Sequence, residues 1–123
     1  MSTVLIVEDN EKNMKLARDV LQAKGYQTVE AVTGEEGVKL AKERKPDLIL
    51  MDIQLPGMNG IEAFKQIRAD AATARIPVVA VTASVTPTDR SQITAAGFDA
   101  FVGKPINLRE FLDTVKRFVE AGK

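Results

Sequence analysis

The sequence predicts an α/β fold, a doubly wound parallel sheet of five strands with helices on both faces. Five short apolar runs alternate with five stretches of helical character along the 123 residues. Strict βα alternation is typical of parallel sheets whose right-handed crossovers place helices on both faces. The chain is long enough for one such domain and too short for two. We therefore expect residues 1–123 to form a single domain without an output domain.

The strands are predicted from apolar runs that are short and almost uninterrupted. Such runs suit strands that are buried on both faces of a parallel sheet. The second run is more polar than the others and is therefore expected at an edge of the sheet. The predicted strands cover residues 3–7, 27–31, 48–51, 78–81 and 100–103.

The helices are predicted from polar N-caps that precede apolar residues at helical spacing. The first helix is expected to be capped by residues 8–10 and to end at Gly25. The other expected caps are Thr33 with Glu36, Asn59 with Glu62, Thr86 before Pro87, and Asn107 with Glu110.

The last two helices are expected to pack differently. Residues 88–96 contain only Ile93 as a large apolar anchor, so the fourth helix should be loosely packed and able to move. In the fifth helix, six apolar residues recur at helical spacing and are predicted to form one buried face. They are Leu108, Phe111, Leu112, Val115, Phe118 and Val119.

Composition limits the partners and the chemistry. Lys and Arg number 17, as do Asp and Glu, so the zero net charge favours neither nucleic acid nor an anionic membrane as a partner. Cys and His are absent, which excludes disulfides, thiolate nucleophiles and zinc–thiolate sites and removes the usual general base. No signal peptide is apparent, and no apolar run approaches the roughly 20 residues that span a bilayer. We expect a cytoplasmic protein.

Polar side chains follow four of the predicted strands at the point where each strand ends. They are Glu8 and Asp9 after the first, Asp52 after the third, Thr82 after the fourth and Lys104 after the fifth. In open α/β sheets, ligands bind at the carboxyl ends of the strands. The first and third strands are neighbours in a doubly wound sheet, so we expect Asp9 and Asp52 to face each other with Glu8 beside them.

Carboxylates in this arrangement suit a hard cation, and a site with few carboxylates suits Mg²⁺. The expected metal ligands are Asp9, Asp52 and the backbone carbonyl of Gln54, with Glu8 helping through water. Each residue also has a plain interpretation, because an acid after a strand is often a helix cap.

The hydroxyl of Thr82 and the ammonium of Lys104 are expected to face this metal and to bind a phosphoryl group. Asp52 would then be the nucleophile that forms an aspartyl-phosphate. Taken singly, Thr82 is an ordinary loop hydroxyl and Lys104 a solvated charge. It is their coincidence with the acids at the strand ends that favours a phosphoryl site.

Four motifs resemble the receiver domain of two-component response regulators. They are Glu8-Asp9, the loop M-D-I-Q-L-P-G-M-N-G at 51–60, V-T-A at 81–83 and G-K-P at 103–105. The match covers the chain in order and at family spacing, and it is similar both to single-domain regulators of cell division and polarity and to receivers inside hybrid kinases. It implies a flavodoxin-like sheet of order 2-1-3-4-5 and Mg²⁺-dependent transfer from a histidine kinase or phosphotransfer protein to Asp52, followed by slow self-hydrolysis.

The resemblance also implies roles for single residues. Thr82 and Lys104 bind the phosphoryl group, and Ala83 adds its backbone amide. Phe101 stands at the position of a rotating aromatic switch that responds to Thr82, although on sequence grounds alone it is more often plain core. The Lys104–Pro105 peptide bond is implied to be cis, while the local sequence leaves cis and trans open.

Two surfaces and one property follow from the same resemblance. The face of the fourth helix, fifth strand and last helix would bind the downstream partner. The first helix, through Asn10, Asn13 and Met14, would meet the phosphodonor. Gln54 and Ser84 stand where the family tunes the lifetime of the phosphoryl group.

Three other functions share parts of this pattern. A flavodoxin-type cofactor binder would have the same fold, but Glu8 and Asp9 would repel the phosphate of its cofactor. A haloacid-dehalogenase-like phosphatase needs a second acid two residues after its nucleophile, where this chain has Gln54. A phosphorylation-independent receiver that acts as a protein-interaction module stays open as the alternative function.

Overall fold

The structure, a computed structural model, describes residues 2–83 and 86–121, and five strands alternate with five helices within these ranges. The strands are β1 (Thr3–Val7), β2 (Gln27–Ala31), β3 (Leu48–Asp52), β4 (Val78–Thr82) and β5 (Ala100–Gly103). The helices are α1 (Glu11–Ala23), α2 (Gly34–Arg44), α3 (Gly60–Ala69), α4 (Pro87–Ala96) and α5 (Leu108–Ala121).

The strands form one sheet of order β2-β1-β3-β4-β5, and all four neighbouring pairs are parallel. This order confirms the flavodoxin-like fold that the motifs imply. It also confirms that the more polar second strand lies at an edge of the sheet. Because the order reverses beside β1, the carboxyl ends of β1 and β3 meet at the switch point of the sheet, where ligands of such folds bind.

The two faces of the sheet carry separate apolar clusters. Along β1, Leu5 and Val7 pack with residues of α2, α3 and α4 on one face, while Val4 and Ile6 pack with α1 and α5 on the other. This alternation follows from the period of two in a strand. Burial on both faces explains why the strands are nearly continuous in apolar residues.

The helix caps agree with the sequence pattern, with one difference. The side chains of Asn10, Thr33 and Asn59 accept backbone N–H groups of the first helical turn, as expected. However, the Glu36 carboxylate accepts the N–H of Val32 at 3.2 Å and thus satisfies the amide one residue before the cap.

The face predicted for α5 is wrong at its first residue. Phe111, Val115 and Val119 are buried, but Leu108 is 48% exposed. The buried stripe repeats every four residues, and its extension toward the N-terminus falls on the cap residue Asn107. Leu108 lies one position after this stripe, so its side chain faces away from the sheet.

None of the helices in the described part of the chain combines the length and the apolarity that crossing a bilayer would require.

Candidate functional site

Two buried carboxylates lie side by side where β1 and β3 end. Val7 and Met51 are paired in register, so the residues that follow them, Glu8 and Asp52, are neighbours. Asp52 is only 3% exposed, whereas Asp9 is open to solvent. One carboxylate oxygen of each of Glu8, Asp9 and Asp52 lies within 4.8 Å of the other two. We refer to these three residues as the acid cluster.

Lys104 reaches the acid cluster from β5. Its backbone N–H donates to the Thr82 carbonyl at the end of β4 at 2.8 Å, which anchors the residue at the same edge of the sheet. Its Nζ lies 2.7 Å from a carboxylate oxygen of Glu8 and 3.1 Å from one of Asp52. The side chains involved are largely buried, so solvent screens these ion pairs only weakly.

The protonation behaviour of the pair Glu8 and Lys104 follows from this burial. Burial disfavours the charged form of Glu8 and raises its pKa from 4.5 to about 7. The Lys104 ammonium lowers this pKa, whereas the neighbouring Asp52 raises it further. Burial alone would lower the pKa of Lys104, but its contacts with Glu8 and Asp52 outweigh this and hold the pKa above its ordinary value. Lys104 therefore stays positively charged at neutral pH.

The loop after β3 fixes the carboxylate of Asp52. One carboxylate oxygen accepts the N–H of Gln54 at 3.0 Å, and the other accepts from Lys104. The loop returns to the strand through the Gly60 N–H, which donates to the Ile53 carbonyl. A Cβ at Gly60 would collide with the carbonyl oxygen of Asp52, so only glycine permits this close return. The sequence motif contains Gly60 without revealing this contact.

The end of β4 lies beside Asp52. Asp52 is paired with Val81, so Thr82 lies one residue further along at the same edge. Thr82 is buried, whereas Ala83, directly after it, is exposed. Thr82 is paired in turn with Gly103 of β5. The fold thus brings Thr82 and Ala83 to the edge at which the acid cluster lies.

The remaining predicted site residues have the following positions. Gln54 is exposed, and the role of its backbone carbonyl as a metal ligand stays a prediction. Phe101 is half-buried in β5. The Lys104–Pro105 peptide bond is cis. Ser84 lies outside the residues that the structure describes.

One contact between α4 and β5 is not predicted by the sequence. The guanidinium carbon of Arg90 lies 4.9 Å from the centroid of the Phe101 ring. No local pattern indicates this pair, because the sheet topology is what brings α4 against β5. Arg90 therefore joins the residues that surround the predicted switch.

The predicted donor-binding surface of α1 needs a correction. Met14 is only 5% exposed and packs against the sheet with Ala17 and Leu21, so its side chain offers very little surface to a partner. It occupies the inner face of the helix because residues four apart share one face. Asn10 is exposed and Asn13 half-buried. An open cleft of about 510 Å³ lies beside Asp9, between α1 and the end of β2, and neither Asn10 nor Asn13 lines it.

The donor set of the acid cluster fits a hard divalent cation. All its ligand atoms are carboxylate oxygens, which Mg²⁺ prefers in proteins. The exposed side of Asp9 leaves room for water and for phosphate oxygens. Arranged in this way, a buried nucleophilic carboxylate, a cation site and a fixed ammonium can bind and receive a phosphoryl group.

Comparison with known proteins identifies the family. Residues 4–116 match the response regulator receiver domain. The chain is 46% identical over 117 residues to the polar-differentiation response regulator DivK of Brucella anthropi and to that of Brucella ovis, and the match covers 95% of each protein.

Solved structures of receiver domains have the same fold. The receiver domain of the sensor histidine kinase PA1611 from Pseudomonas aeruginosa PAO1, with a magnesium ion coordinated in its active-site cleft, has a TM-score of 0.90 and 31% identity, covering 97% of this chain and 98% of that one. The chemotaxis protein CheY4 of Vibrio cholerae has a TM-score of 0.90 and 28% identity, covering 96% and 98%. Sequence, sheet order and strand-end residues all agree, and the chain belongs to the response regulator receiver domain family of two-component signalling.

Proposed function

We propose that this receiver domain is a phosphorylation-dependent switch that accepts a phosphoryl group on Asp52 from a histidine kinase or a phosphotransfer protein. The observation that carries the proposal is the Asp52 carboxylate, which is buried at the sheet edge and held between the Gln54 N–H and the Lys104 ammonium. A carboxylate fixed in this way is oriented before the donor arrives, so less ordering is needed in the transition state.

In the transfer step, a carboxylate oxygen of Asp52 attacks the phosphorus atom while the bond between phosphorus and the leaving group of the donor breaks. The Lys104 ammonium, already 3.1 Å from Asp52, would pair with a phosphoryl oxygen. The Thr82 hydroxyl and the backbone N–H of Ala83 would bind the other phosphoryl oxygens. Water would later attack the acyl-phosphate slowly, so the protein is a signalling regulator and not an enzyme with turnover of its own.

Glu8, Asp9, Asp52 and the Gln54 carbonyl are the residues proposed to hold Mg²⁺. The close approach of three carboxylates supports this assignment, because neighbouring carboxylates stay ionised together more easily when a cation lies beside them. When bound, Mg²⁺ supplies positive charge that offsets the negative charge on the transferring phosphoryl group. The magnesium ion in the cleft of the Pseudomonas receiver domain supports the same assignment.

The output is proposed to be a shift between two conformations. A phosphoryl group adds charge and acceptor oxygens beside Thr82, which would move inward and let the Phe101 ring turn toward it. The surface formed by α4, β5 and α5 would change in consequence and bind a downstream protein. The donor is proposed to approach along the outer face of α1, through Asn10 and Asn13.

The direct test is phosphorylation by acetyl phosphate with Mg²⁺, followed by intact mass spectrometry. The parent should gain one alkali-labile phosphoryl adduct and Asp52→Asn none. Asp19→Asn is the matched control, because it changes an exposed aspartate on the outer side of α1 and should be modified like the parent. An adduct of equal yield on Asp52→Asn would overturn the assignment of the acceptor.

The second candidate function is a phosphorylation-independent interaction module. It would be favoured if the folded parent gained no adduct and did not respond to beryllofluoride, a phosphoryl mimic. The presence of Asp9, Asp52, Thr82 and Lys104 at one sheet edge weighs against it. A cytoplasmic location, and the absence of an output domain within residues 1–123, stay predictions.

A further inference from the structure

The side chain of Arg90 covers one face of the Phe101 ring. Its guanidinium carbon lies 4.9 Å from the ring centroid, inside the distance of about 6 Å at which a cation is attracted by an aromatic face. Arg90 lies in the first turn of α4, where its N–H donates to the Thr86 carbonyl at 3.0 Å. Phe101 is only half-buried, which leaves a ring face open to this contact.

Phe101 packs against the apolar cluster on its face of the sheet, but its neighbours in the strand pair are small. Phe101 is paired with Ala80, and two residues further along Thr82 is paired with Gly103. Residues two apart in a strand share a face, so Phe101 and Gly103 lie beside Ala80 and Thr82. Because Ala80 is small and Gly103 has no side chain, neither residue puts a bulky side chain between Phe101 and Thr82 on this face of the strand pair.

Helix α4 has few apolar attachments to the sheet. Ile93 is buried and Ala96 half-buried, whereas Thr88, Ser91, Gln92, Thr94 and Ala95 are exposed. Within the described residues, the contact between Arg90 and Phe101 joins the first turn of α4 to β5. A ring that turned toward Thr82 would withdraw from the guanidinium and release that turn.

We infer that Arg90 is a positioning residue that holds the Phe101 ring against α4 and thereby opposes the switched conformation. The inference rests on the proposed function, since the switched conformation is the one that a phosphoryl group on Asp52 favours. Removing the cation lowers the cost of moving the ring, so the resting population shifts toward the switched state. Arg90 thus raises the free energy that phosphorylation must supply to populate the switched conformation.

The test compares three variants. Arg90→Leu removes the cation and keeps an apolar side chain, and Arg90→Lys keeps a cation. Arg117→Leu is the matched control, because the Arg117 guanidinium lies 4.7 Å from the centroid of Phe118, a ring in α5 that is not one of the two predicted switch residues, Thr82 and Phe101. Beryllofluoride is titrated with Mg²⁺ present, and the signal of Phe101 is followed by NMR of protein labelled with ring-¹³C phenylalanine. The protein has five phenylalanines, and the signal that disappears in Phe101→Leu is that of Phe101.

Arg90→Leu should bind beryllofluoride about two- to fivefold more tightly than the parent. Arg90→Lys should change less, and Arg117→Leu should match the parent. Before any addition, the Phe101 signal of Arg90→Leu should already be displaced toward its beryllofluoride-bound position. Affinity and signal unchanged in Arg90→Leu would overturn the inference.

Failure of the proposed function gives a different result. The parent would then show no beryllofluoride response at all. The positioning role would still be supported if Arg90→Leu alone displaced the Phe101 signal and Arg90→Lys restored it. It would be overturned if neither substitution affected that signal.

Discussion

The acid cluster and helix α4 are held in the protein by contacts of very different strength. Glu8 and Asp52 share the buried ammonium of Lys104, at 2.7 and 3.1 Å, and the backbone of Asp52 belongs to the central strand β3. In contrast, the contacts that the described residues show for α4 are those of the buried Ile93, of the half-buried Ala96 and of Arg90 with Phe101. The proposed phosphoryl site is therefore preformed, whereas the helix proposed to carry the signal is weakly attached. A weakly attached helix can be moved by the small free energy that a phosphoryl group supplies.

The largest expected effect comes from removing the charge that holds the acid cluster together. Lys104→Met leaves the buried carboxylates of Glu8 and Asp52 without a cation, so the free energy of unfolding should fall by up to about 3 to 5 kcal/mol, and by less where Glu8 takes up a proton. Urea unfolding at neutral pH measures this, with the exposed Lys12→Met as the control. Because the competing ammonium is gone, Mg²⁺ should stabilise Lys104→Met more than the parent. Equal stability of Lys104→Met and the parent would contradict a firmly held site.

The same cluster predicts a pH dependence of stability. The pKa of Glu8 is raised in the folded state from 4.5 to about 7, so the folded protein binds the proton more tightly than the unfolded chain does. The free energy of unfolding should therefore fall as the pH rises between these values. In metal-free buffer, the parent should lose up to about 3 kcal/mol relative to Glu8→Gln over this range. Urea unfolding at several pH values provides the measurement.

The exposed Glu43→Gln in α2 serves as the control for this titration. Its stability should follow that of the parent across the range. A parent that keeps a constant stability difference from Glu8→Gln would show that burial does not perturb Glu8.

A matched pair of substitutions compares the attachment of α4 directly with that of α3. Ile67 in α3 and Ile93 in α4 are both buried, and both lie against the same face of the sheet. Ile67→Ala should lower the free energy of unfolding, measured with urea, by about 4 kcal/mol. Ile93→Ala should lower it by only about 2 kcal/mol, because α4 can detach without unfolding the sheet. Equal losses would show that α4 is as integral to the fold as α3.

The smallest effect is expected at Leu108. Because this side chain is largely exposed, Leu108→Ser should change the free energy of unfolding by no more than about 0.5 kcal/mol. Leu112→Ser, one turn further along α5 and half-buried, should cost clearly more. Thermal unfolding of both variants distinguishes a buried Leu108 from an exposed one.

These regions also differ in how well the sequence predicted them. The strands, most helix caps and the gathering of Glu8, Asp52, Thr82 and Lys104 at one edge follow from local patterns and from the order of a doubly wound sheet. For this reason, residues as far apart in the chain as Glu8 and Lys104, which are 96 positions apart, could be assigned to one site from the sequence alone.

What the sequence could not predict depends on directions and distances that only packing decides. Met14 was expected on the partner surface but lies on the inner face of α1, and Leu108 was expected inside but lies outside. Gly60 is required by a carbonyl oxygen that a motif does not reveal. The contact between Arg90 and Phe101 joins two elements whose adjacency comes from the whole sheet.

Amide hydrogen exchange with and without beryllofluoride and Mg²⁺ tests most directly whether the preformed site acts on the weakly attached helix. We expect exchange to change in residues 87–96 and 100–103 and to stay nearly constant in residues 60–69, with no change in Asp52→Asn. Unchanged exchange in α4 of the parent, or the same change in Asp52→Asn, would contradict a switch that starts at Asp52 and ends at α4.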